Sequence, residues 1–216
     1  MSFESLLRED KDLKYLELKD VCEMHLGTAF KNSFYRDSGF PIVKTSNIQG
    51  GLVITDNLKY CNPDNHLDSE VIKYGDIVMA KDGSCGKVGI NLTSQEFFFD
   101  SHVVKFVPDE EILIGGYLYH CLLNFQSEIE GMAKGSTIRG IRKSELERLK
   151  IPVPSLETQT RIAETLDKFQ ELKQELKQEL KQELKQELKQ ELLLRKRQHN
   201  YYRDQIWESL LGNLTH

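Results

Sequence analysis

The sequence lacks the cysteine pattern of a metal site or a disulfide framework. Its 4 cysteines contain no Cys-x-x-Cys pair and have no paired histidines at zinc-finger distances. They are Cys22, Cys61, Cys85 and Cys121. We interpret all of them as free thiols, and we expect neither a bound metal nor a cofactor.

A run of apolar residues long enough to cross a membrane is also missing. The longest stretch, Ile112 to Leu123, contains two glycines and a histidine and is shorter than the roughly 20 residues that a bilayer requires. The N-terminal sequence MSFESLLREDKDLKYLEL is too acidic and too polar for a signal peptide. We therefore expect no membrane association and a cytoplasmic location.

The chain has no overall positive charge, since its net charge is −5. The charge is unevenly distributed, because residues 131–150 hold six basic and two acidic residues. In GSTIRGIRK, the backbone amides and hydroxyls suit phosphate oxygens, and an arginine can bind guanine through two hydrogen bonds. An ordinary basic surface loop is the alternative interpretation, and Ser144 can instead cap a short helical turn through SELERL.

No catalytic motif is recognisable. KDGSCGKVG has only two residues between its first glycine and its Gly-Lys pair, and valine follows the lysine, which excludes a nucleotide P-loop. We interpret it as a hairpin turn from which Lys81, Ser84 and Lys87 can still contact a DNA phosphate. The NPDN turn lacks the second proline and the aromatic residue of a methyltransferase NPP-aromatic loop. Four histidines without a recognisable carboxylate or serine partner are interpreted as core or surface residues: His25, His66, His102 and His120.

Residues 14–150 alternate short apolar segments with turn residues. Strands are expected in FPIVKTS, GDIVMAK, KVGINL and SHVVKFV, which are separated by turn sequences such as NPDN and KDGSCG. One helix is expected from about Glu111 to Gly131, because apolar residues from Leu118 to Ile129 recur on one helical face. The predicted fold class is α+β, with a mixed, largely antiparallel globular domain followed by a long helix.

Glycine and proline are absent from Leu156 to Leu211, which permits a helix of roughly 80 Å at 1.5 Å per residue. Pro152 and Pro154 are expected to end the preceding strand, and Ser155 is expected to cap the helix.

The middle of this helix is a perfect tetrapeptide repeat, in which ELKQ occurs five times in succession between Gln170 and Leu192. Charged residues four positions apart always have the same sign, which destabilises an isolated helix by roughly 0.2–0.5 kcal/mol per pair. A leucine stripe can be buried against a second helix, so we expect a coiled coil. The stripe consists of Leu172, Leu176, Leu180, Leu184, Leu188 and Leu192. A solvated charged linker and an engineered rod are the alternatives that composition leaves open.

Three segments together resemble the specificity subunits of type I restriction-modification systems. They are GDIVMAKDGSCGKVGI, KGSTIRGIRKSELERLKIPVPSLETQTRIAETLDKF and RKRQHNYYRDQIWESLL, and the resemblance extends over nearly all of the chain. Its most specific part is a Pro-x-Pro-x-Leu-x-x-Gln-x-x-Ile pattern before the long helix. The residues of this pattern are Pro152, Pro154, Leu156, Gln159 and Ile162. Many family members have a further proline where this chain has Ser155.

The resemblance implies a non-catalytic DNA-binding subunit with residues 1–150 as a target-recognition domain and residues 151–216 as a helical spacer. Family members usually carry two recognition domains in one longer chain. The resemblance therefore implies that this chain reads one half of a bipartite DNA sequence, and that an antiparallel homodimer supplies the second reader. The helical region would also dock methyltransferase subunits and, through them, the restriction subunit.

On this interpretation, one face of the protein binds double-stranded DNA. The expected contacts are Lys44, Thr45, Ser46, Asn47, Lys81, Ser84, Lys87, Lys134, Ser136, Thr137, Arg139, Arg142 and Lys143. Lys44 and Lys87 are expected on phosphates, and Arg139 or Arg142 is expected on a base. The repeat then sets the distance between two readers. A coiled-coil adaptor that binds protein instead of DNA is the alternative from another class, and an enzyme is a more remote one.

Overall fold

The computed structural model describes Leu7 and residues 10–65, 68–135 and 139–212. The chain divides into two units, Met1–Thr165 and Leu166–His216. The first unit contains the strands and the short helices, and the described residues of the second continue one long helix. The functional division expected at residue 150 stays a prediction.

The strands of the described residues form three sheets in the first unit. The strands are β1 (Lys14–Glu17), β2 (Cys22–Leu26), β3 (Phe40–Val43), β4 (Ile48–Gln49), β5 (Gly51–Val53), β6 (Lys59–Cys61), β7 (Val71–Ile72), β8 (Ile77–Ala80), β9 (Val88–Ile90), β10 (Phe97–Phe99), β11 (Val103–Pro108) and β12 (Lys150–Val153). The largest sheet has the order β2-β11-β8-β9-β5-β4, the second has the order β6-β3-β10-β7, and β1 pairs with β12.

Most strand pairs are antiparallel, whereas β3–β10 and β5–β9 are parallel. The mixed, largely antiparallel fold class predicted from the sequence is therefore confirmed. Each of the four segments expected to be a strand contains one, namely β3, β8, β9 and β11.

The core is filled by strands that do not alternate between apolar and polar residues. All four residues of β8 and all three residues of β10 are buried. Strands covered on both faces have continuous apolar sequences, because neither face can accept a polar side chain without a partner. Burial of β8 fixes the hairpin that it forms with β9, and the turn of this hairpin carries several of the predicted DNA contacts.

The helix expected from Glu111 to Gly131 is instead two shorter helices, so its predicted extent is wrong. Helix α1 spans Gly115–Asn124, and α2 spans Gln126–Met132. Phe125 separates them because its backbone angles, φ −87° and ψ 7°, depart from helical values. Helix α1 begins later than the expected Glu111, because the Asp109 carbonyl accepts backbone hydrogen bonds in a turn that precedes the helix.

A third helix, α3 (Lys143–Leu146), is very short. Arg142 precedes it as the N-cap residue, without a side-chain hydrogen bond to the helix. Ser144 therefore lies inside the helix and does not cap it, which rules out that alternative from the sequence.

The long helix expected from Leu156 is confirmed as α4 (Leu156–Gly212). At its start, the Thr158 amide donates to Ser155 Oγ (3.4 Å), so Ser155 caps the helix as predicted. Ser155 Oγ in turn donates to Asp10 Oδ2 (2.7 Å). Hydrogen bonds from Thr158 and Ser155 lower the pKa of Asp10 to about 2, which keeps this carboxylate charged next to the positive end of the helix.

The side chain of Gln159 shows what the Pro-x-Pro-x-Leu-x-x-Gln-x-x-Ile pattern does in the fold. Its Oε1 accepts the Ile114 amide, and its Nε2 donates to the carbonyls of Ile112 and Pro154, each at 2.9 Å. The Gln159 side chain is fully buried and thereby joins the start of α4 to β12 and to the segment before α1. The pattern is therefore a structural junction within the first unit. In the part of the chain that is described, no helix is long and apolar enough to cross a membrane.

Candidate nucleic-acid interface

The Lys81–Lys87 turn joins β8 to β9, which confirms the hairpin interpretation. The Ala80 amide donates to the Lys87 carbonyl (2.9 Å), and the Gly86 amide donates to the Ala80 carbonyl (2.8 Å). Gly86 has a φ of +83°, and an added Cβ would lie 2.6 Å from a side-chain carbon of α2. The turn is therefore fixed in shape, and it presents Ser84 and Lys87 as exposed side chains.

The basic segment 134–143 closes on itself at its base. Lys134 and Gly140 exchange two backbone hydrogen bonds, of 3.0 and 2.9 Å. The predicted contacts Ser136 and Thr137 lie between them and fall outside the described residues.

Backbone hydrogen bonds join this segment to the Lys81–Lys87 turn. The Gly83 amide donates to the Arg139 carbonyl (2.8 Å), and the Ile141 amide donates to the Lys81 carbonyl (2.8 Å). Two regions that are far apart in the sequence therefore form one continuous surface, and both contain residues predicted to contact DNA.

The joined segments border a shallow cavity of about 430 Å³, which we call the basic depression. Its lining consists of Leu26, Lys81, Asp82, Lys134, Gly140, Ile141, Arg142 and Lys143. Four of these eight residues are basic, although the net charge of the chain is −5. A local excess of basic side chains attracts polyanions, and nucleic acid is one of them.

Three lysines of the basic depression are already paired with carboxylates. The pairs are Lys81–Asp82, Lys134–Glu145 and Lys143–Glu147. The Lys134–Glu145 and Lys143–Glu147 pairs are partly exposed, and such pairs contribute little free energy and are screened by salt, so a phosphate can compete with the carboxylate. The Lys81–Asp82 pair is more buried.

Arg139 and Arg142 differ in how far their guanidinium groups are already used. Arg139 Nη2 donates to the carbonyls of Glu130 (3.0 Å) and Ala133 (3.4 Å), where a cation stabilises the C-terminal end of α2. Arg142 is exposed, and its guanidinium has no hydrogen bond or ion pair among the described residues. Of the two candidates for base contact, Arg142 is thus the more available.

Asp82 is a central residue of the site that sequence reasoning missed. Its Oδ2 accepts a hydrogen bond from Lys81 Nζ and lies 3.0 Å from His102 Nδ1. Burial raises the pKa of Asp82, but hydrogen bonds and charges from Lys81 and His102 outweigh burial and lower it. An added Cβ on Gly140 would lie 2.6 Å from Asp82 Oδ1, so only glycine leaves this carboxylate in place.

Two histidines without a recognisable partner in the sequence have carboxylate partners in the fold. His102 contacts Asp82, and His25 lies 2.9 Å from Glu70 and 3.3 Å from Glu23. Both are surface residues, as the sequence interpretation allowed. His120 is buried in α1, and His66 lies outside the described residues.

The predicted segment Lys44 to Asn47 does not line the basic depression. Lys44 Nζ lies 4.7 Å from the centroid of the Tyr35 ring, which is a cation–π contact. Burial raises the pKa of Asp100, and the positive charges of His102 and Lys44 oppose this rise. Asp100 is therefore within electrostatic reach of both Lys44 and the His102 that contacts Asp82.

Asn47 has a structural role that its position in the sequence did not indicate. Its side chain is buried, accepts the Lys44 amide (3.1 Å) and donates to the Asp56 carbonyl (2.9 Å). Thr45 is half-buried and Ser46 is exposed, so these hydroxyls, unlike the Asn47 amide, remain candidates for phosphate contact.

All four cysteines are free thiols, as predicted. Burial raises the pKa of Cys22 and of Cys121 to about 12, so neither thiol ionises near neutral pH. Within the ranges that the structure describes, no group of three or more His, Cys, Asp or Glu side chains is arranged to hold a metal ion.

The second unit presents an apolar stripe to solvent. The six leucines of the repeat are each more than half exposed. No ion pair joins two charged residues of the repeat among the described residues, as expected for like charges four positions apart. Beyond the repeat, an open cavity of about 410 Å³ is lined by His199, Tyr202, Arg203, Ile206 and Trp207.

The family model and the curated relatives agree on one family. Residues 10–186 match the family model of the type I restriction modification DNA specificity domain. The chain is similar to a putative type I restriction enzyme specificity subunit, S.HindORF215P of Haemophilus influenzae, with 31% identity over 178 residues. It is also similar to the type I restriction enzyme MjaVIII specificity subunit of Methanocaldococcus jannaschii, with 28% identity over 171 residues. Among solved structures, the HsdS subunit of Thermoanaerobacter tengcongensis shares its fold, with a TM-score of 0.61 and 21% identity.

These similarities extend over most of this chain but over less of the other proteins. The match covers 78% of this chain and 43% of the Haemophilus protein, and 75% of this chain and 40% of the Methanocaldococcus protein. The similarity to the HsdS structure covers 78% of this chain and 42% of that subunit. The chain spans about half the length of the curated relatives it matches.

Proposed function

Because the chain belongs to the family of type I restriction modification DNA specificity domains, we propose that it reads one half of a two-part sequence in double-stranded DNA. Residues 1–150 are the proposed target-recognition domain, and residues 151–216 are the proposed spacer and docking region. One observation carries the proposal: the Lys81–Lys87 turn and the segment 134–143 are joined by hydrogen bonds around the basic depression.

The proposed DNA contacts divide into positioning and base-reading residues. Ser84 and Lys87 are exposed on a rigid turn and suit phosphate oxygens, which position a protein without specifying sequence. Arg142 is proposed to bind guanine through two hydrogen bonds in the major groove, since its guanidinium is available. Arg139 is proposed to stabilise the C-terminal end of α2 and not to contact a base. The remaining proposed phosphate contacts are Lys44, Thr45, Ser46, Lys81, Lys134, Ser136, Thr137 and Lys143.

A second copy of the chain is proposed to supply the reader of the other half-site. The exposed leucine stripe and the like charges four positions apart in the repeat both favour a partner helix, because an isolated helix with this pattern is destabilised. Two copies related by a two-fold axis perpendicular to α4 have antiparallel helices and carry one reader at each end. The length of the curated relatives, about twice that of this chain, supports the same arrangement.

The chain itself is proposed to be non-catalytic and to act through methyltransferase subunits, which in turn recruit the restriction subunit. The cavity around Tyr202 and Trp207 is the proposed docking surface, because exposed aromatic residues beside an arginine are typical of energetically important interface positions.

DNA retention as a function of salt concentration tests this function. We expect the affinity of the full chain, alone or with its methyltransferase partner, to fall steeply with salt, because phosphate contacts release counterions. No retention of any duplex, with or without the methyltransferase, would refute the proposal and favour the adaptor alternative.

A further inference from the structure

Leu26 is an exposed apolar residue in a position where the strand pattern predicts burial. In β2, Cys22 and Met24 are buried and Glu23 lies outside, so alternation places Leu26 on the buried face. Leu26 is nevertheless 47% exposed. It ends a strand at the edge of the largest sheet, where the basic depression leaves it uncovered.

The surroundings of Leu26 make this exposure informative. The other side chains that border the depression include Lys81, Asp82, Arg142 and Lys143, which are all charged. A ligand that is only a phosphate chain has no apolar group to place against a leucine. A base edge in the major groove has one, since thymine carries a 5-methyl group beside its polar atoms.

We propose, on the basis of the DNA-reading function above, that Leu26 is a specificity-determining residue that contacts the 5-methyl group of a thymine. Leu26 and Arg142 border the same depression, so this thymine lies next to the base pair that Arg142 contacts. Sequence reasoning did not find Leu26, because only the fold places this residue beside the basic segments.

The contribution of one methyl contact sets the expected effect. Burial of one methyl-sized group changes affinity by about fourfold, which is the fold-change that corresponds to roughly 0.8 kcal/mol. The effect should be confined to one position, because phosphate contacts elsewhere are indifferent to the base.

Uracil substitution removes this methyl group without altering base pairing and therefore tests the inference. The half-site is first selected from random duplex DNA with the full chain, and each thymine is then replaced by uracil in turn. We expect binding to weaken by about fourfold at one thymine and to stay unchanged at the others.

Two variants locate the effect. In Leu26→Ala the difference between thymine and uracil should disappear, whereas in Leu92→Ala it should remain. Leu92 is a matched control because it is 52% exposed and follows Asn91, which bonds to Gly75 at the opposite end of the β8–β9 hairpin. Circular dichroism verifies that each variant is folded. The uracil series on the unaltered chain needs no variant, so it decides the inference even where Leu26→Ala does not fold.

Three results would overturn the inference while leaving the DNA-reading function intact: a half-site without thymine, no uracil effect at any position, or an undiminished effect in folded Leu26→Ala. Failure of the unaltered chain to select any sequence would instead refute the proposed function, and the inference with it.

Discussion

Deletion of one ELKQ unit, for example Glu175 to Gln178, should shorten the spacer of the DNA target and leave the half-site bases unchanged. The deleted residues lie within α4 and leave both flanking sequences intact. At 1.5 Å per residue, the helix loses about 6 Å. In an antiparallel dimer both helices shorten together, so the two readers approach by about 6 Å, or roughly one to two base pairs at 3.4 Å each.

The deletion also changes the rotation of one reader about the helix axis. Four residues correspond to about 400° of helix, so the two ends rotate by about 40° relative to each other. One base pair of DNA turns by about 34°, so the readers remain close to their grooves after a shift of one base pair. Deletion of Glu175 and Leu176 alone is the matched control, because two residues rotate the ends by about 200° and move the leucine stripe to the opposite face.

Methylated sites should be mapped in cells that carry chains with four, five or six repeats together with the methyltransferase partner. We expect the spacer to grow by one to two base pairs per unit and the two-residue deletion to abolish methylation. A spacer that stays constant across the series would refute the reasoning, since the helices would then not set the distance and the repeat would be only a linker.

Three other predictions concern the dimer, the helix junction and base recognition. Replacement of Leu176, Leu180 and Leu184 by alanine should reduce the fraction of dimer measured by light scattering. A parent chain that is monomeric although its helix is intact would refute the pairing. Asp10→Ala should lower the thermal unfolding midpoint at neutral pH. The folded pKa of Asp10 lies at about 2, below its ordinary value of 3.8, so its contribution is complete above pH 3.8 and is lost as the pH falls toward 2. The midpoints of parent and variant should converge over that range, and a constant difference would contradict the assignment. Arg142→Lys should relax one base pair of the target at a cost of about 1–3 kcal/mol, whereas Arg139→Lys should lower the unfolding midpoint and retain base preference. Unchanged methylation specificity in Arg142→Lys would contradict the base contact.

Patterns confined to one segment could be predicted from the sequence. The apolar β8 segment, the turn glycines after it and the absence of glycine and proline in α4 each act on the local backbone, so strand, hairpin and helix were identifiable. The break at Phe125 was not, because nothing in its side chain excludes a helix and its backbone angles depend on how α1 and α2 pack.

Features that depend on strand pairing could not be predicted. Asp82 meets His102 only because β8 and β11 are neighbours in one sheet, and the two residues are not adjacent in the sequence. Asn47 looked like a DNA contact because it is polar and lies in a basic segment, but its amide is used inside the fold. The basic segments were identifiable from charge, whereas the depression that they form required the fold.

The sequence of the methylated sites in cells that carry this chain with its methyltransferase partner tests the central claim most directly. Two identical readers related by a two-fold axis predict one half-site that occurs twice, in inverted orientation, with a fixed number of base pairs between the copies. A methylation pattern that is the same with and without this chain would contradict the claim that the chain reads DNA.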